Sequence, residues 1–418
     1  MSTSLIRICV FFVFALPGAT SADIWNAQYD DQGKMHGTAE RWSDDEKRLF
    51  EITEFHKGVR HGLSAVYHPN QKVAVESTYK DGQLHGPHST FYEGDGNILK
   101  EKGQYKNGKA DGLWIQYFPN AQKQAEINYV RGQLDGEMTE YYTTTEAGKT
   151  PVKRKLTFRK GLKHGSALTA YDNAENSTDE TGEYKSDQRF GPWEKWYPNG
   201  NLASEIDYYA DQKHGAAIQY YPSGLPEYET TFEYNEFTGE FTGYHEAEPL
   251  QPSIHGKHIA GKRQGMWTSW AADGTKTTEV NYRLGTYDGV SITYYAVDGS
   301  IDTVTSFKNG VPDGDHVRYH FPGPLTPVDE LVENGPRKSK VESGQHSKGQ
   351  RVGSWYYYYP SGTLRLESAY DDLGRMTGVW YYYDELEEMT RVETYEGGAV
   401  KEVVEDCLAD PEACESWK

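Results

Sequence analysis

The sequence predicts an all-β fold, an elongated repeat array of stacked β-hairpins that form one long twisted antiparallel sheet. A unit of 24 residues, represented by residues 106–129, recurs with variations about fourteen times. Each copy holds two aromatic-rich segments separated by a turn, which is the pattern of a hairpin. No long window shows a sustained helical period of apolar residues. Because one hairpin cannot bury its own apolar face, we expect the hairpins to be stable only when stacked.

Each element of the unit has a local cause. Asn107-Gly108 and Gly112 predict a Gly-x-x-x-Gly turn, since glycine enters positive backbone angles at no steric cost. Residues 114–118 follow as a β-rich aromatic strand. Proline and asparagine at 119–120 then predict a reversal, and residues 124–129 return as a second strand.

The second glycine of each such turn, called here the marker glycine, fixes the register of the array. Most steps between markers are 24 to 26 residues, and two longer steps of 29 and 39 residues predict surface loops at residues 143–151 and 321–346. The array is predicted to span residues 23–400. The markers are Gly37, Gly62, Gly86, Gly112, Gly136, Gly165, Gly191, Gly215, Gly239, Gly265, Gly289, Gly314, Gly353 and Gly378.

An aromatic residue stands five positions after the marker in thirteen of the fourteen units. Because alternate residues of a strand share a face, we expect these rings to form a ladder that is the main stabilising contact between repeats. The rings are Trp42, Tyr67, Phe91, Tyr117, Tyr141, Trp196, Tyr220, Tyr244, Trp270, Tyr294, Tyr319, Tyr358 and Tyr383.

The charge of the chain limits its partners. Its 418 residues carry a formal net charge of −20, with no compensating basic stretch. Such a surface repels phosphate backbones and anionic lipid headgroups, which argues against nucleic acid and acidic membranes as partners. Cationic proteins or neutral surfaces are favoured.

The two ends of the chain predict an exported protein. Residues 1–22 contain one basic residue, a short apolar run and small residues near residue 22, which is typical of a cleaved secretion signal peptide. The alternative is a retained N-terminal anchor. After cleavage we expect no stable membrane insertion, and a location in the periplasm, in the cell envelope or outside the cell. In that oxidising setting Cys407 and Cys414 favour a disulfide within the tail, residues 401–418, over two free thiols.

The repeat resembles a known family. Asn107 to Gly112 and Asp81 to Gly86, each followed by an aromatic strand and a Pro-Asn-Gly type of turn, are similar to MORN repeats, and the resemblance covers nearly all of residues 23–400. Two residues after the marker, where the standard repeat has glycine, this chain has Trp114 or another tryptophan in five units. This departure favours the bacterial variant subfamily, called antitoxin-like in some chains. The resemblance implies a scaffold of stacked hairpins used for protein contacts.

Two rows of chemically capable side chains predict no reactive centre. Histidine precedes five markers, at His36, His61, His85, His164 and His214, but equivalent positions in successive hairpins lie roughly 9 to 10 Å apart, too far to share one zinc ion. Glutamates recur three residues before the aromatic that closes the unit, at Glu76, Glu126, Glu205, Glu229, Glu279 and Glu367. A repeated row offers no unique acid and base pair, so we expect turn packing for the histidines and a solvated row of acids. No catalytic residues, metal site or cofactor are predicted.

Tryptophan and tyrosine rings are the remaining functional candidates. Rings combine apolar area with a polar edge, so exposed ones serve as anchors for proteins or stack on sugars; the alternative is that they pack between repeats. The candidates are Trp193, Trp196, Trp267, Trp270, Tyr356 and Tyr359. The sequence thus favours a non-enzymatic exported scaffold that binds another protein through an aromatic, acidic sheet surface. A module binding cell-wall or capsular glycans is the alternative, and a glycan-cleaving enzyme is a distant third.

Overall fold

A computed structural model describes residues 24–146, 148–321, 340–405, 407–409, 412, 414 and 416–417. Over these residues the protein is nearly all β, so the predicted fold class, an all-β array of antiparallel hairpins, is confirmed. The predicted signal peptide, residues 1–22, lies outside the described residues. The chain divides into two compact units, residues 1–188 and 189–418.

The strands follow one another in chain order, and within each unit sequential strands pair antiparallel. The first unit contains β1 Ile24–Tyr29, β2 Met35–Trp42, β3 Leu49–His56, β4 Val59–Tyr67, β5 Val73–Lys80, β6 Gln83–Phe91, β7 Leu99–Lys106, β8 Lys109–Ala110, β9 Gly112–Tyr117, β10 Lys123–Val130, β11 Gln133–Tyr141, β12 Val152–Arg159, β13 Leu162–Ala170 and β14 Thr178–Lys185. The second contains β15 Gln188–Trp196, β16 Leu202–Tyr209, β17 Gln212–Tyr220, β18 Pro226–Glu233, β19 Glu236–Tyr244, β20 Pro252–Ile259, β21 Lys262–Trp270, β22 Lys276–Arg283, β23 Thr286–Tyr294, β24 Ile301–Lys308, β25 Val311–Tyr319, β26 Lys340–Ser347, β27 Gln350–Tyr358, β28 Leu364–Tyr370, β29 Met376–Tyr383, β30 Met389–Glu396 and β31 Ala399–Glu405.

The hairpin predicted from residues 106–129 is present. Strands β9 and β10 pair antiparallel, with Trp114 opposite Ile127, and the intervening reversal is closed by the Phe118 amide donating to the Gln122 carbonyl at 2.8 Å. At the other end of the repeat, Asn107 and Gly108 have φ of 52° and 74°. Two consecutive positive φ values define the mirror-image turn that matches the twist of antiparallel strands.

The buried layer lies on one side of the hairpins, called here the tryptophan face. It consists of the side chains two residues after the marker, together with those opposite them on the neighbouring strands. The tryptophans at this position are at most 6% exposed: Trp114, Trp193, Trp267, Trp355 and Trp380. Some other units have a small residue there, such as Ala39 at 1% and Ala217 at 2%, and others a larger one, such as Met138 at 7%.

Glycine makes room for several of these indoles. A Cβ added to Gly103 would lie 2.3 Å from the Trp114 ring, and one added to Gly344 would lie 2.4 Å from the Trp355 ring. Gly256 has the same relation to Trp267, at 2.3 Å. In all three pairs the absent side chain lets the ring lie flat on the neighbouring strand, which excludes water from both.

The predicted ladder of rings five residues after the marker is not the main buried layer. Those rings lie on the opposite side of the strand, because three positions separate them from the buried tryptophans. Most are half-buried, whereas Tyr319 is 2% exposed within a cluster that includes Ile292 and Ile301. The physical reason is the space available to each ring. On the tryptophan face a facing glycine leaves room for the indole in three repeats, whereas among the described residues the rings of the predicted ladder have no facing glycine of this kind.

Tyrosines six residues after the marker join successive repeats. In six repeats the tyrosine hydroxyl donates to the backbone carbonyl of the residue five after the next marker; an example is Tyr197 to the Tyr220 carbonyl at 2.8 Å. The others are Tyr92 to Tyr117 at 2.8 Å, Tyr142 to Ala170 at 3.1 Å, Tyr221 to Tyr244 at 3.0 Å, Tyr295 to Tyr319 at 2.7 Å and Tyr359 to Tyr383 at 2.9 Å. We call these the inter-repeat tyrosine bonds. These carbonyls lie at the ends of their strands, so each tyrosine hydroxyl satisfies a backbone acceptor that the strand pairing does not use.

The predicted insertions and tail are placed as follows. Residues 143–146 and 148–151 contain no strand, as expected for a loop. Residues 322–339 lie outside the described residues, but Lys340–Ser347 forms β26, which corrects the predicted loop boundary at residue 346. In the tail, Cys407 and Cys414 form a disulfide with Cα atoms 5.6 Å apart. Both cysteines are buried against Val392 of β30.

Candidate interaction surface

The side chains one, three and five residues after the marker form the tyrosine face, opposite the tryptophan face. Here the tyrosine five after one marker donates to a glutamate of the preceding repeat. The Tyr141 hydroxyl lies 2.7 Å from Glu126 Oε2, and Tyr294 lies 2.6 Å from Glu279 Oε2. Tyr220 donates to Glu205 at 2.6 Å. Three of the six glutamates that the sequence predicted as a solvated row are therefore tied to the ring row, whereas Glu76 and Glu229 are exposed.

These pairs shift the titration of both partners. Burial, followed by the hydrogen bond to Glu126, raises the pKa of Tyr141 to about 12. In return, hydrogen bonds from Lys123 and then Tyr141 lower the pKa of Glu126. A phenol kept protonated beside a carboxylate kept ionised is a stable donor and acceptor pair. In this pair the tyrosine is the proton donor and the glutamate the acceptor.

Two adjoining hollows on the tyrosine face of the first unit form a groove. The larger, about 450 Å³, is floored by Ile52, Leu63 and Pro87, with the carboxylates of Glu54 and Glu76 at its margin. The smaller, about 380 Å³, shares Pro87 and continues over Leu113. Leu63 is 67% and Leu113 47% exposed. The groove thus offers apolar area to a partner while its rim carries negative charge.

The second unit has its own hollow on the tyrosine face. It measures about 420 Å³ and is lined by Val304, Val317 and Tyr356, with Lys340 and Asp315 at its margin. Its lining thus mixes apolar and charged side chains, as surfaces that bind other proteins do.

Comparison with known families bears on these repeats. The model of the MORN repeat variant family matches residues 191–211 and 351–372, and each match begins at or just before a marker glycine and continues through the paired strand. The chain therefore contains repeats of the MORN variant type. No curated protein matches the MORN-repeat chain as a relative.

Several solved structures are similar to the MORN-repeat chain at low identity. The crystal structure of TcdB2-TccC3-TEV is 9% identical, with 92% of this chain and 22% of that chain covered and a TM-score of 0.15. That of TcdB2-TccC3 is 10% identical, with 91% and 27% covered and a TM-score of 0.16. The Tc holotoxin pore of Photorhabdus luminescens is 8% identical, with 90% and 26% covered and a TM-score of 0.14. The chain spans about a quarter of the length of the chains it matches.

The MORN-repeat structure separates the ring candidates into different roles. Trp193 and Trp267 are 4% and 2% exposed on the tryptophan face, which corrects the expectation that they present rings to a partner. Their indole faces are covered by guanidinium groups: Arg263 lies 4.3 Å from the Trp267 ring centroid. They hold the repeats together.

The other four candidates are half-buried, and the structure does not bring all six into one cluster. Trp196 and Trp270 are on the tyrosine face, at the ends of β15 and β21. Tyr356 lines the second-unit hollow. Tyr359 makes an inter-repeat tyrosine bond, so its hydroxyl is committed to the next MORN repeat.

Two of the five histidines that precede markers cap turns. His61 Nδ1 accepts from the Asp81 amide, and His85 Nδ1 accepts from the Asn107 amide, both at 3.4 Å. Within the described part of the chain, no group of three or more histidine, cysteine, aspartate or glutamate side chains is placed to hold a metal ion. Nor does any described helix have the length and apolar character needed to cross a membrane.

Sequence reasoning missed most of the residues that line the hollows. The main ones are Leu63, Leu113 and Val317, the last of which lines the same hollow as Tyr356. The available signal was the residue one after the marker, which is leucine, methionine or valine in five MORN repeats. It is exposed in four of them, at Leu63, Leu113, Met266 and Val290, and half-buried at Val379. An apolar side chain repeated at a solvent-facing strand position marks a binding surface more directly than a large ring.

Proposed function

We propose that this MORN-repeat protein is a non-enzymatic, exported scaffold that binds another protein through its tyrosine face. The groove of the first unit is the observation that carries the proposal. Its floor exposes Leu63 and Leu113, and apolar area of this kind is buried when a partner docks. Arrays of repeats provide extended surfaces for such contacts.

The expected partner is a protein with a basic, partly apolar surface. Glu54 and Glu76 border the groove, and the whole chain carries a net charge of −20. Opposite charge on the partner would speed encounter and fix its orientation. Export is supported by the signal-like residues 1–22 and by the cysteine pair of the tail.

Site-specific photo-crosslinking in the producing cells tests the proposal. A photoreactive residue replaces Leu63 in one variant and Leu113 in another, and Leu386 is the control because it is 78% exposed in a turn and lines none of the three hollows. We expect the two groove positions to yield the same discrete adduct and Leu386 to yield none. No adduct from the groove, or equal adducts from all three positions, would refute the proposal.

Glycan binding is the second candidate, favoured by the half-buried rings Trp196 and Trp270 on the tyrosine face. A glycan array probed with the double variant Trp196→Ala, Trp270→Ala distinguishes it from protein binding. Loss of a specific glycan signal in that variant supports glycan recognition. Trp267 is unsuitable for this test because its removal would open a cavity in the tryptophan face.

The non-enzymatic part of the proposal rests on how the carboxylates are used. Glu126 and Glu279 each accept from a lysine and a tyrosine, and the buried Glu101 accepts from the Gln116 side-chain amide at 2.9 Å. Prolonged incubation of the purified protein with cell-wall glycans should leave them intact. Release of reducing ends above the level of a heat-denatured control would overturn this part.

A further inference from the structure

A strip of exposed rings runs along the hairpin turns of the second unit, apart from the ring candidates described above. Phe190 contacts Tyr209 with ring centroids 5.5 Å apart, Tyr209 contacts His214 at 6.0 Å, and His214 contacts Tyr234 at 4.8 Å. Phe190, Tyr209 and Tyr234 are 36%, 51% and 54% exposed. We call these four residues the aromatic strip. It presents aromatic area to solvent over successive turns.

The turns beneath the strip depart from the rest of the array. Most repeats turn through a second residue that is glycine, but Asp211 and Asn235 take that place here, with φ of 66° and 70°. Each compensates through its side chain: Asp211 Oδ1 accepts from the Arg189 amide at 2.7 Å, and Asn235 Oδ1 accepts from the Lys213 amide at 2.8 Å. These bonds tie the tips to the preceding repeats, so the rings are held on a fixed frame.

Negative charge without a nearby cation lies at the Tyr234 end of the strip. Glu233 and Glu236 stand directly opposite each other at the foot of the turn that carries Tyr234, and both are exposed. Like charges in that relation destabilise a hairpin. Among the residues that the structure describes, neither glutamate has an ion-pair partner. By contrast, at the equivalent tip that carries Leu284, Arg283 pairs with Asp288 at 2.8 Å.

The neighbouring cations are directed elsewhere. The Arg189 guanidinium lies 4.1 Å from the Trp193 ring centroid, and the Lys213 ammonium lies 4.9 Å from the Phe232 ring centroid. Both rings belong to the buried layer. The strip therefore combines exposed ring faces with carboxylates. A cationic side chain from another molecule can contact both.

We propose that the aromatic strip is a binding site for an extended, arginine- or lysine-bearing segment of a partner protein. A guanidinium stacks on the face of Tyr209 or Tyr234, since cations are attracted to the electron-rich face of an aromatic ring. Glu233 and Glu236 pair with the same or the next cationic side chain. The proposal deepens the protein-binding function above by naming the partner's chemistry at a second surface.

Fluorescence anisotropy with the full chain tests the proposal. The probe is a labelled peptide of alternating arginine and glycine, and its control is the same peptide with glutamine in place of arginine. The ring variant is Tyr209→Ala, Tyr234→Ala, matched by Leu284→Ala, because Leu284 is 60% exposed at an equivalent tip with φ of 51°. The charge variant is Glu233→Gln, Glu236→Gln, matched by Glu385→Gln, Glu402→Gln, which removes two exposed carboxylates elsewhere.

At physiological ionic strength we expect the ring variant and the charge variant each to weaken binding of the arginine peptide about tenfold, and the matched controls to change it by less than about twofold. The charge variant should also unfold at a higher temperature, since it removes a repulsion, so lost binding cannot be ascribed to misfolding. Equal affinities in strip variants and controls, or equal binding of the glutamine peptide, would overturn the proposal. Adducts at Leu63 and Leu113 would be unaffected, so failure here is distinguishable from failure of the scaffold proposal.

Discussion

Replacing Gly344 with alanine tests the contact between a facing glycine and a buried indole. Trp355 is 0% exposed, and a methyl group on Gly344 would lie 2.4 Å from its Cδ2 atom. Ordinary contacts of this kind begin near 3.4 Å, so the ring would have to move by about 1 Å in a layer packed as densely as a crystal. Arg351, 4.1 Å from the ring centroid on the other side, restricts that movement.

The expected cost of the substitution is about 1–3 kcal/mol of unfolding free energy, the range for adding a methyl group to a filled core. Gly344 lacks the positive φ of the turn glycines, so alanine meets no backbone strain there and would otherwise be favoured by about 0.5–1 kcal/mol. Any net loss of stability therefore reports the clash. Urea denaturation gives the loss, and amide exchange of residues 343–345 localises it.

A double-mutant cycle isolates the pair. Trp355→Ala alone should cost about 3–5 kcal/mol, and in that background Gly344→Ala should become neutral or stabilising because the ring is gone. The coupling energy should then exceed about 1 kcal/mol. If the two effects instead add within about 0.5 kcal/mol, facing glycine and indole are not a packing unit. Gly96→Ala, where the nearest atom is a flexible Ile98 carbon at 3.3 Å, is the control and should change little.

Three further outcomes are expected. Tyr197→Phe removes the hydroxyl that donates to the Tyr220 carbonyl while keeping the ring, and should lower the unfolding free energy by about 0.5–1.5 kcal/mol in urea titration; no loss would show that water replaces the bond. The pKa of Tyr141 is raised from 10.0 to about 12. The stabilisation that protonated Tyr141 gives the folded state is therefore complete below pH 10 and is lost as pH rises towards 12. Glu126→Gln should lower the pKa of Tyr141 in an NMR titration. Burial lowers the pKa of His88 from 6.5 to about 4, so the unfolded chain binds the extra proton and stability falls as pH drops from 6.5 to 4; a His88→Phe variant whose denaturation midpoint falls as steeply as that of the wild type would contradict this assignment.

The hairpins and their register were accessible from the sequence because both are local. Glycine pairs such as Gly108 and Gly112 mark positive backbone angles, and strand alternation follows from the turn on either side. The choice of the buried face was not local. It depends on which side of the strand meets small side chains on the neighbouring strands. A ring that recurs in thirteen repeats does not show whether the side chains opposite it are small.

The fit does leave a trace in the sequence. Gly103, Gly256 and Gly344 each stand eleven residues before the tryptophan they face, so a search for complementary volumes across one hairpin would have located the core. The hollows of the tyrosine face have a weaker trace, because side chains from several successive strands line each of them. Only the exposed leucines that floor them, Leu63 and Leu113, could be anticipated.

The inter-repeat tyrosine bonds bear on how such a chain can change in length. Each hydroxyl reaches one repeat forward to a backbone carbonyl, a group every residue possesses, so the bond demands nothing of the side chain it meets: the acceptors include Ala170 as well as Tyr117. Duplicating or excising one whole module would restore a donor and an acceptor at the new junction. Gain or loss of whole repeats in the gene could thus change the length of the binding surface without new contacts having to evolve at the junctions between repeats.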